Sequence, residues 1–229
     1  MVFGLSKLLN PKHLSIVVNT ADDQEIFGLH VSPDLDTVMY TLAGINNKST
    51  GWGIDGDTFY TQSMLKKYIP DLWFNIGDKD MATHIYRSKL MSNNSKLSTI
   101  TSELSKLLKV PQKIIPMTDD RVRTKLTTNI GILDFQEYFV KHKCNPIVKS
   151  INFEGIEKAT PSAEFVRSVN KSDALIICPS NPFLSVAPIL NLPGISTTLR
   201  NLKVPRIAIS PIVGGKSIRG PAGKIMSEL

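Results

Sequence analysis

Three short apolar runs, each ending in polar or small residues, constrain the fold of this chain more than any other feature. They occupy residues 14–18, 174–178 and 206–210, and each contains β-branched Ile or Val. Such runs are typical of parallel strands that are buried on both faces of a sheet. Helical patterns at residues 59–69 and 97–110 lie between them. The chain is therefore predicted to have an α/β fold, with ligands bound where the carboxyl ends of the strands open into loops.

The middle of the chain, from residue 116 to residue 154, departs from this pattern. Thr-rich and apolar residues alternate over 123–128 and 132–135, and Asn129 and Gly131 interrupt them. We interpret this as a β-hairpin within an inserted α/β substrate-binding region. No repeat, low-complexity tract or flexible linker divides the sequence. We therefore predict a single α/β domain over residues 1–229, built on a three-layer, Rossmann-like and mostly parallel sheet.

The charge balance narrows the choice of partners. Lys and Arg number 27 against 20 Asp and Glu, a formal net charge of +7. This excess would suit a nucleic acid, an anionic membrane or a phosphorylated small molecule. The basic residues are scattered, and no apolar run approaches the roughly 18 residues of a membrane span, so we expect neither nucleic acid nor membrane. Two cysteines without metal-ligand spacing indicate a reduced, cytoplasmic protein.

Four carboxylates mark the most promising site for chemistry. Asp22 and Asp23 follow the first apolar run, and Asp34 and Asp36 lie in residues 33–37, which we interpret as a loop. Carboxylates gathered at one end of a sheet repel each other unless a cation or a proton lies between them. Mg²⁺ takes one or two carboxylates together with waters and phosphate oxygens. Capping of a helix by Asp22 or Asp34, with the others solvated, is an equally open interpretation.

A second acidic segment precedes a helical pattern at residues 81–87. Either Asp78 or Asp80 is expected to cap that helix, because Asp is a preferred capping residue. His84 and Arg87 stand three residues apart on one helical face, where they could meet a phosphate or pair with nearby acids. Arg87 is a candidate for a phosphate contact, because its planar guanidinium is always charged. We interpret His84 as a partly buried histidine.

Two later segments could bind a nucleotide. Ser180 and Asn181 follow the second apolar run and offer hydroxyl and amide groups, which suit purine or ribose recognition as well as an ordinary turn. Gly214 and Gly215 precede Lys216 and could form a phosphate-binding nest of backbone N–H groups. The sequence has no Walker loop, dinucleotide fingerprint, nucleophile elbow or zinc-protease motif. The residues alone thus indicate an α/β protein with an acidic metal-and-phosphate site.

Nine short motifs follow one another along the chain in an order that covers nearly all of it. They are VVNTADD (17–23), SPDLDTV (32–38), GWGI (51–54), GDKDMATH (77–84), PMTDD (116–120), DFQEY (134–138), CPSNP (178–182), SPIVGG (210–215) and GPAGK (220–224). Together they resemble the CofD family of 2-phospho-L-lactate transferases.

The resemblance implies a Mg²⁺-dependent reaction in coenzyme F-420 biosynthesis. Phospholactate, or phosphoenolpyruvate in some members, passes from a guanosine diphosphate-linked donor to the deazaflavin alcohol 7,8-didemethyl-8-hydroxy-5-deazariboflavin, and GMP is released. The resemblance implies that Asp22 and Asp36 are metal ligands, that Asp36 is catalytic, and that Asp36 and Asn75 lie at the deazaflavin site. We expect Ser180 and Asn181 near the guanosine. A homodimer is left open.

Family members also have a Gly-rich strand and loop ahead of the segment that starts here, and they continue past Lys224. We therefore interpret the chain as the central part of the family pattern. Two alternatives share this fold: a non-catalytic regulatory protein that binds nucleotide phosphates, and an inactive fragment. Regulatory relatives carry Gly and Ser after the Asp-Asp pair, whereas Gln24 and Glu25 follow it here, which favours the transferase.

Overall fold

The computed structural model describes residues 1–217 and 220–229 and shows a mixed α/β chain, as predicted. The α-helices are α1 (Val2–Leu8), α2 (Pro33–Ala43), α3 (Tyr60–Tyr68), α4 (Asp78–Ser92), α5 (Leu97–Leu107), α6 (Ala163–Asn170), α7 (Ala187–Asn191), α8 (Ile195–Asn201) and α9 (Ala222–Glu228). The strands are β1 (Ser15–Val18), β2 (Gln24–Ile26), β3 (Leu29–Val31), β4 (Lys113–Pro116), β5 (Arg123–Thr128), β6 (Gly131–Asp134), β7 (Val148–Glu154), β8 (Leu175–Ile177), β9 (Arg206–Ala208), β10 (Ile212–Val213) and β11 (Lys216–Ser217). No helix in the described part of the chain is long and apolar enough to cross a membrane.

Contacts divide the chain into two compact units, and each is built from discontinuous segments. The first unit contains residues 1–2, 17–22 and 116–229, and the second contains residues 3–16 and 23–115. Neither unit corresponds to a continuous stretch of sequence. The single domain over residues 1–229 stays a prediction.

A three-stranded antiparallel sheet, in the order β6-β5-β7, organises the first unit. Its β5–β6 hairpin pairs Lys125 with Asp134 and Thr128 with Gly131, which confirms the predicted hairpin. Alternate residues of β5 are buried, as expected for a sheet with one covered face. The core beneath it contains five fully buried residues: Leu126, Tyr138, Val148, Leu184 and Ile225.

Strands β8 and β9 form the parallel pair that the apolar runs predicted, with Ile176 opposite Ile207. Their predicted burial is wrong, because Ile176 is 38% exposed and Ile207 is 49% exposed. In contrast, Ile16 and Val18 of β1 are buried as expected. Apolar composition shows that a strand gains from burial, but it does not show which element covers the strand.

The longer segment of the second unit, residues 23–115, begins with a tight hairpin of β2 and β3, in which Ile26 pairs with Leu29. Phe27 and Gly28 both have positive φ, as a two-residue turn between antiparallel strands requires. Ile26 and Val31 pack with Ile76 in a small apolar core. The hairpin leads directly into helix α2.

Residues 33–37 are the first turn of α2, so their interpretation as a loop is wrong. Ser32 occupies the N-cap position and Pro33 begins the helix, where a missing N–H is harmless and a fixed φ is helical. Asp34 and Asp36 fall in the first turn, where the helix dipole favours negative charge. Gly44 ends the helix in the left-handed conformation, with φ of 74°.

Helices α3 and α4 cap each other's N-termini. The carboxylate of Asp78, at the start of α4, accepts hydrogen bonds from the backbone N–H groups of Tyr60 and Thr61, at 2.9 and 3.0 Å. The carboxylate of Asp57, ahead of α3, accepts from the backbone N–H groups of Lys79 and Asp80, at 2.8 and 3.1 Å. The expectation that Asp78 or Asp80 caps α4 is therefore wrong, because Asp57 performs that role.

Candidate active site around Asp36

Five buried polar side chains from two helices of the second unit form one cluster, which we call the Asp36 cluster. Asp36 and Tyr40 lie one turn apart on α2, and Asp80, His84 and Arg87 share one face of α4. Arg87 is 1% exposed, and Asp80, the most exposed of the five, is 8% exposed. Burial of this many polar groups is costly unless they satisfy one another.

The guanidinium of Arg87 grips the Asp36 carboxylate with two hydrogen bonds. Nη1 donates to Oδ2 at 3.0 Å, and Nη2 donates to Oδ1 in a close contact. Burial alone would lower the pKa of Arg87, but the charge of Asp36 and its hydrogen bonds outweigh burial and raise that pKa. Arg87 therefore remains charged, and its two-point contact fixes the plane of the carboxylate.

His84 connects this ion pair to Asp80. Its Nδ1 lies 3.3 Å from Nη1 of Arg87, and its Nε2 lies 3.3 Å from Oδ1 of Asp80. A guanidinium can only donate hydrogen bonds, so Nδ1 is assigned as the acceptor and Nε2 as the nitrogen that donates to Asp80. His84 thus connects the Asp36–Arg87 ion pair to Asp80, so that the orientation of each side chain restricts that of the next.

Tyr40 closes the network on α2, where its hydroxyl donates to Oδ1 of Asp80 at 2.8 Å. Burial, followed by the charges of Asp36 and Asp80, raises the pKa of Tyr40, so its hydroxyl keeps its proton. Burial alone would raise the pKa of Asp80, but the hydrogen bonds and charge around it, first those of His84, lower that pKa. Asp80 therefore stays ionised as an acceptor.

Asp23 forms a second buried acidic centre in the same unit. Its Oδ2 accepts a hydrogen bond from the Ser32 hydroxyl at 2.7 Å and lies 2.9 Å from Nε2 of His30. Its Oδ1 is buried and has no hydrogen-bond partner within the described residues. A buried carboxylate oxygen of this kind is costly unless a ligand or water satisfies it.

The metal prediction rests on Asp22 and Asp36, which the structure places in different units. Both are buried, and Asp22 accepts a hydrogen bond from the side-chain amide of Asn19 at 2.9 Å. Their carboxylate oxygens fit Mg²⁺ by donor type. Their pairing on one ion stays a prediction.

The second unit also contains a group that sequence reasoning missed. Asp36, Asp80 and His84 each offer one ligand atom, and these atoms lie within 4.8 Å of one another. The signal was present in the spacing, because residues 80, 84 and 87 fall on one helical face. Within the cluster, Arg87 already supplies a positive charge to Asp36, and the predicted contact of Arg87 with a phosphate gains no support from this geometry.

Asn75, predicted at the deazaflavin site, is exposed just ahead of α4. Its side-chain oxygen accepts a hydrogen bond from Gln62 of α3, and Gln62 also accepts from the backbone N–H of Ile76 at 3.1 Å. Gln62 thus fixes the segment in which Asn75 lies. The ligand contact of Asn75 stays a prediction.

The predicted nucleotide-binding residues belong to the first unit. The side-chain oxygen of Asn181 accepts from the backbone N–H groups of Phe183 and Leu184, at 3.0 and 3.2 Å, and so caps a helical turn. Its Nδ2 is buried and has no hydrogen-bond partner in the described part of the chain. Ser180 beside it is partly buried. The amide donor of Asn181 is thus a group in this segment that a ligand could satisfy.

Gly214 and Gly215 form the two-residue turn between β10 and β11, in which Val213 pairs with Lys216. Their φ angles of 57° and 77° are left-handed, so the turn itself favours glycine. Phosphate binding by this turn stays a prediction.

Comparison with known proteins gives one consistent assignment. The family model described as 2-phospho-L-lactate transferase CofD matches residues 1–229. A 2-phospho-L-lactate transferase of Methanosarcina mazei is 38% identical over 97% of this chain and 73% of its own length. One of Methanocaldococcus jannaschii is 40% identical over 97% of this chain and 72% of its own length. A phosphoenolpyruvate transferase of Streptomyces coelicolor is 37% identical over 99% of this chain and 72% of its own length.

A solved structure supports the fold. A UPF0052-family protein from Bacillus halodurans superimposes with a TM-score of 0.61 at 17% identity. The match covers 91% of this chain and 63% of that protein's chain, so this chain spans less than two thirds of it. At this identity the likeness concerns the α/β architecture alone. The family match over the whole length and the identity to the curated transferases show that this chain belongs to the CofD family.

Proposed function

We propose that this chain transfers phospholactate or phosphoenolpyruvate from a guanosine diphosphate-linked donor to the deazaflavin alcohol 7,8-didemethyl-8-hydroxy-5-deazariboflavin. GMP would be released in a step of coenzyme F-420 biosynthesis. The observation that carries the proposal is the similarity, over 97% of the chain, to proteins named 2-phospho-L-lactate transferase. The similarity to a phosphoenolpyruvate transferase keeps both three-carbon donors in the proposal.

In this reaction the protein does not have to form a covalent bond to the substrate. The terminal hydroxyl of the deazaflavin alcohol forms a bond to the phosphorus that carries the three-carbon acid. The bond from that phosphorus to the bridging oxygen breaks, GMP leaves with the electron pair, and the hydroxyl proton passes to water. Phosphoryl transfers of this kind depend mainly on positioning and charge stabilisation.

The carboxylates supply the groups that such a reaction needs. We propose Asp22 and Asp36 as ligands of Mg²⁺, which when bound would neutralise charge on the diphosphate of the donor. We also propose that Asp36 accepts a hydrogen bond from the attacking hydroxyl and orients it. The fixed plane of the Asp36 carboxylate supports this role, since an oriented acceptor loses little entropy when the substrate binds.

The nucleotide half of the donor would lie against the first unit. We propose that Ser180 and Asn181 contact the guanosine and that the turn of Gly214 and Gly215 contacts its phosphate. The Nδ2 of Asn181, which has no hydrogen-bond partner among the described residues, supports the first of these contacts. Asn75 is proposed to contact the deazaflavin from its exposed position.

A transfer assay tests the proposal directly. The protein is incubated with the deazaflavin alcohol, Mg²⁺ and either the lactyl or the phosphoenolpyruvyl guanosine diphosphate, and GMP and the deazaflavin product are quantified by chromatography. We expect equal amounts of both products with at least one donor. Binding of GMP without turnover would instead indicate a regulatory nucleotide-binding protein, and neither binding nor turnover by the folded chain would indicate an inactive fragment.

A further inference from the structure

We infer that Arg87, His84 and Asp80 are positioning residues that act on the reaction through Asp36. This inference rests on the proposed function, because it assigns a task to side chains that hold Asp36 directly or through one another. All three lie on one face of α4, and each is buried. They therefore cannot serve as a solvated polar surface.

The argument starts from the geometry at Asp36. A carboxylate on the first turn of a helix can rotate about two side-chain bonds, and neither the helix nor its dipole fixes the carboxylate plane. The two hydrogen bonds from Arg87 do fix it, because a planar fork meets both oxygens in one orientation. Lysine offers a point charge, so it would neutralise the charge of Asp36 without fixing the plane of the carboxylate.

Arg87 is itself held from two sides. Its Nη1 donates to the backbone oxygen of His30 at 3.3 Å and lies 3.3 Å from Nδ1 of His84. His84 is in turn oriented by Asp80, which accepts the hydroxyl of Tyr40 at 2.8 Å. Each side chain is thus oriented by the next, in the way that hydrogen-bond partners of metal ligands orient those ligands in metal sites.

The test compares the wild-type chain with Arg87→Lys and with Arg121→Lys as the matched control. Arg121 makes an exposed ion pair with Glu154 at 2.7 Å. The same substitution there also removes a guanidinium, but one that does not orient a buried side chain. We measure kcat and KM for both substrates, and we measure the affinity for Mn²⁺ as a probe of the Mg²⁺ site by electron paramagnetic resonance. The second readout does not depend on turnover.

We expect Arg87→Lys to lower kcat or Mn²⁺ affinity by about 10- to 100-fold, the usual cost of losing a hydrogen-bond partner that orients a metal ligand. The KM values for both substrates should stay within about threefold of wild type, since Arg87 is buried and the inference assigns it no contact with either substrate. Arg121→Lys should match wild type. A purely structural arginine would lower only the unfolding temperature.

Wild-type kcat and Mn²⁺ affinity in folded Arg87→Lys would overturn the inference. If that variant does not fold, Asp80→Asn replaces it, with Asp173→Asn at an exposed position as its control. Asp80→Asn keeps the shape but weakens the hold on His84, so unchanged kcat and Mn²⁺ affinity there would also overturn the inference. A wild-type chain that neither transfers nor binds Mn²⁺ would refute the proposed function, and the positioning role with it.

Discussion

The buried ion pair of Asp36 and Arg87 gives a quantitative prediction for stability. Replacing Arg87 by Met removes one partner and leaves the Asp36 carboxylate, which is 4% exposed, without its counter-charge. Breaking a buried pair in this way costs about 3–5 kcal/mol of unfolding free energy, because the remaining charge is neither solvated nor paired. Replacing Asp36 by Asn should cost a similar amount for the same reason.

A double-mutant cycle separates this coupling from loss of packing. The free energies of unfolding are measured by urea denaturation for wild type, Arg87→Met, Asp36→Asn and the double variant. We expect the double variant to lose about 2–3 kcal/mol less than the sum of the single losses, since neither charge is left unpaired in it. The urea dependence of the free energy should stay constant across the series, which shows that the same surface unfolds.

The matched control is Arg121→Met. The Arg121 and Glu154 side chains are 64% and 49% exposed, so their ion pair should contribute about 0–1 kcal/mol. A loss below about 1 kcal/mol for Arg87→Met would show that the pair is solvated or broken in solution. Strictly additive losses in the cycle would refute the coupling between Asp36 and Arg87.

Three further predictions concern other parts of the molecule. Gly77→Ala should cost about 1–2 kcal/mol by urea denaturation, because its Cβ would clash with the Asp57 carboxylate that caps α4. Gly4→Ala in α1 meets open space and should leave the unfolding free energy unchanged or raise it by up to about 1 kcal/mol, since alanine has the higher helix propensity. Gly214→Ala should destabilise the β10–β11 turn by about 1–2 kcal/mol because of its φ of 57°, and wild-type unfolding free energy would contradict the left-handed turn. Burial raises the pKa of Cys144 to about 11. Its alkylation by iodoacetamide, measured in a Cys178→Ala variant, should therefore be slow at pH 8 and accelerate as the pH rises toward 11. An alkylation rate at pH 8 equal to that of a free thiol would contradict this prediction.

Local patterns were enough to predict much of the fold. The β5–β6 hairpin follows from alternation and from Asn129 and Gly131, and the predicted helices at 59–69 and 97–110 correspond to α3 and α5. The exposure of β8 and β9 could not be predicted, because burial depends on which distant element covers a strand. The start of α2 was misread because Pro followed by Asp is favoured both in turns and in the first turn of a helix.

The candidate site was predictable only in part. Asp36 stood out because of its acidic neighbours, but the partners that hold it lie on α4, more than forty positions further along the chain. Their spacing of 80, 84 and 87 reveals a shared helical face, whereas the sequence cannot show that this face meets Asp36. Asp57 was missed as the cap of α4 for the same reason, since it precedes α3 and lies more than twenty positions before the N–H groups that it caps.

The most direct test of the proposed function is GMP release by wild type and by Asp36→Asn, measured with the deazaflavin alcohol, Mg²⁺ and each guanosine diphosphate-linked donor. We predict stoichiometric GMP and deazaflavin product from wild type with at least one donor. Asp36→Asn, confirmed as folded by circular dichroism, should lose at least about 100-fold in kcat, as expected when a group that orients the reacting atoms is removed. Undiminished GMP release by folded Asp36→Asn, or none from wild type with either donor, would contradict the account.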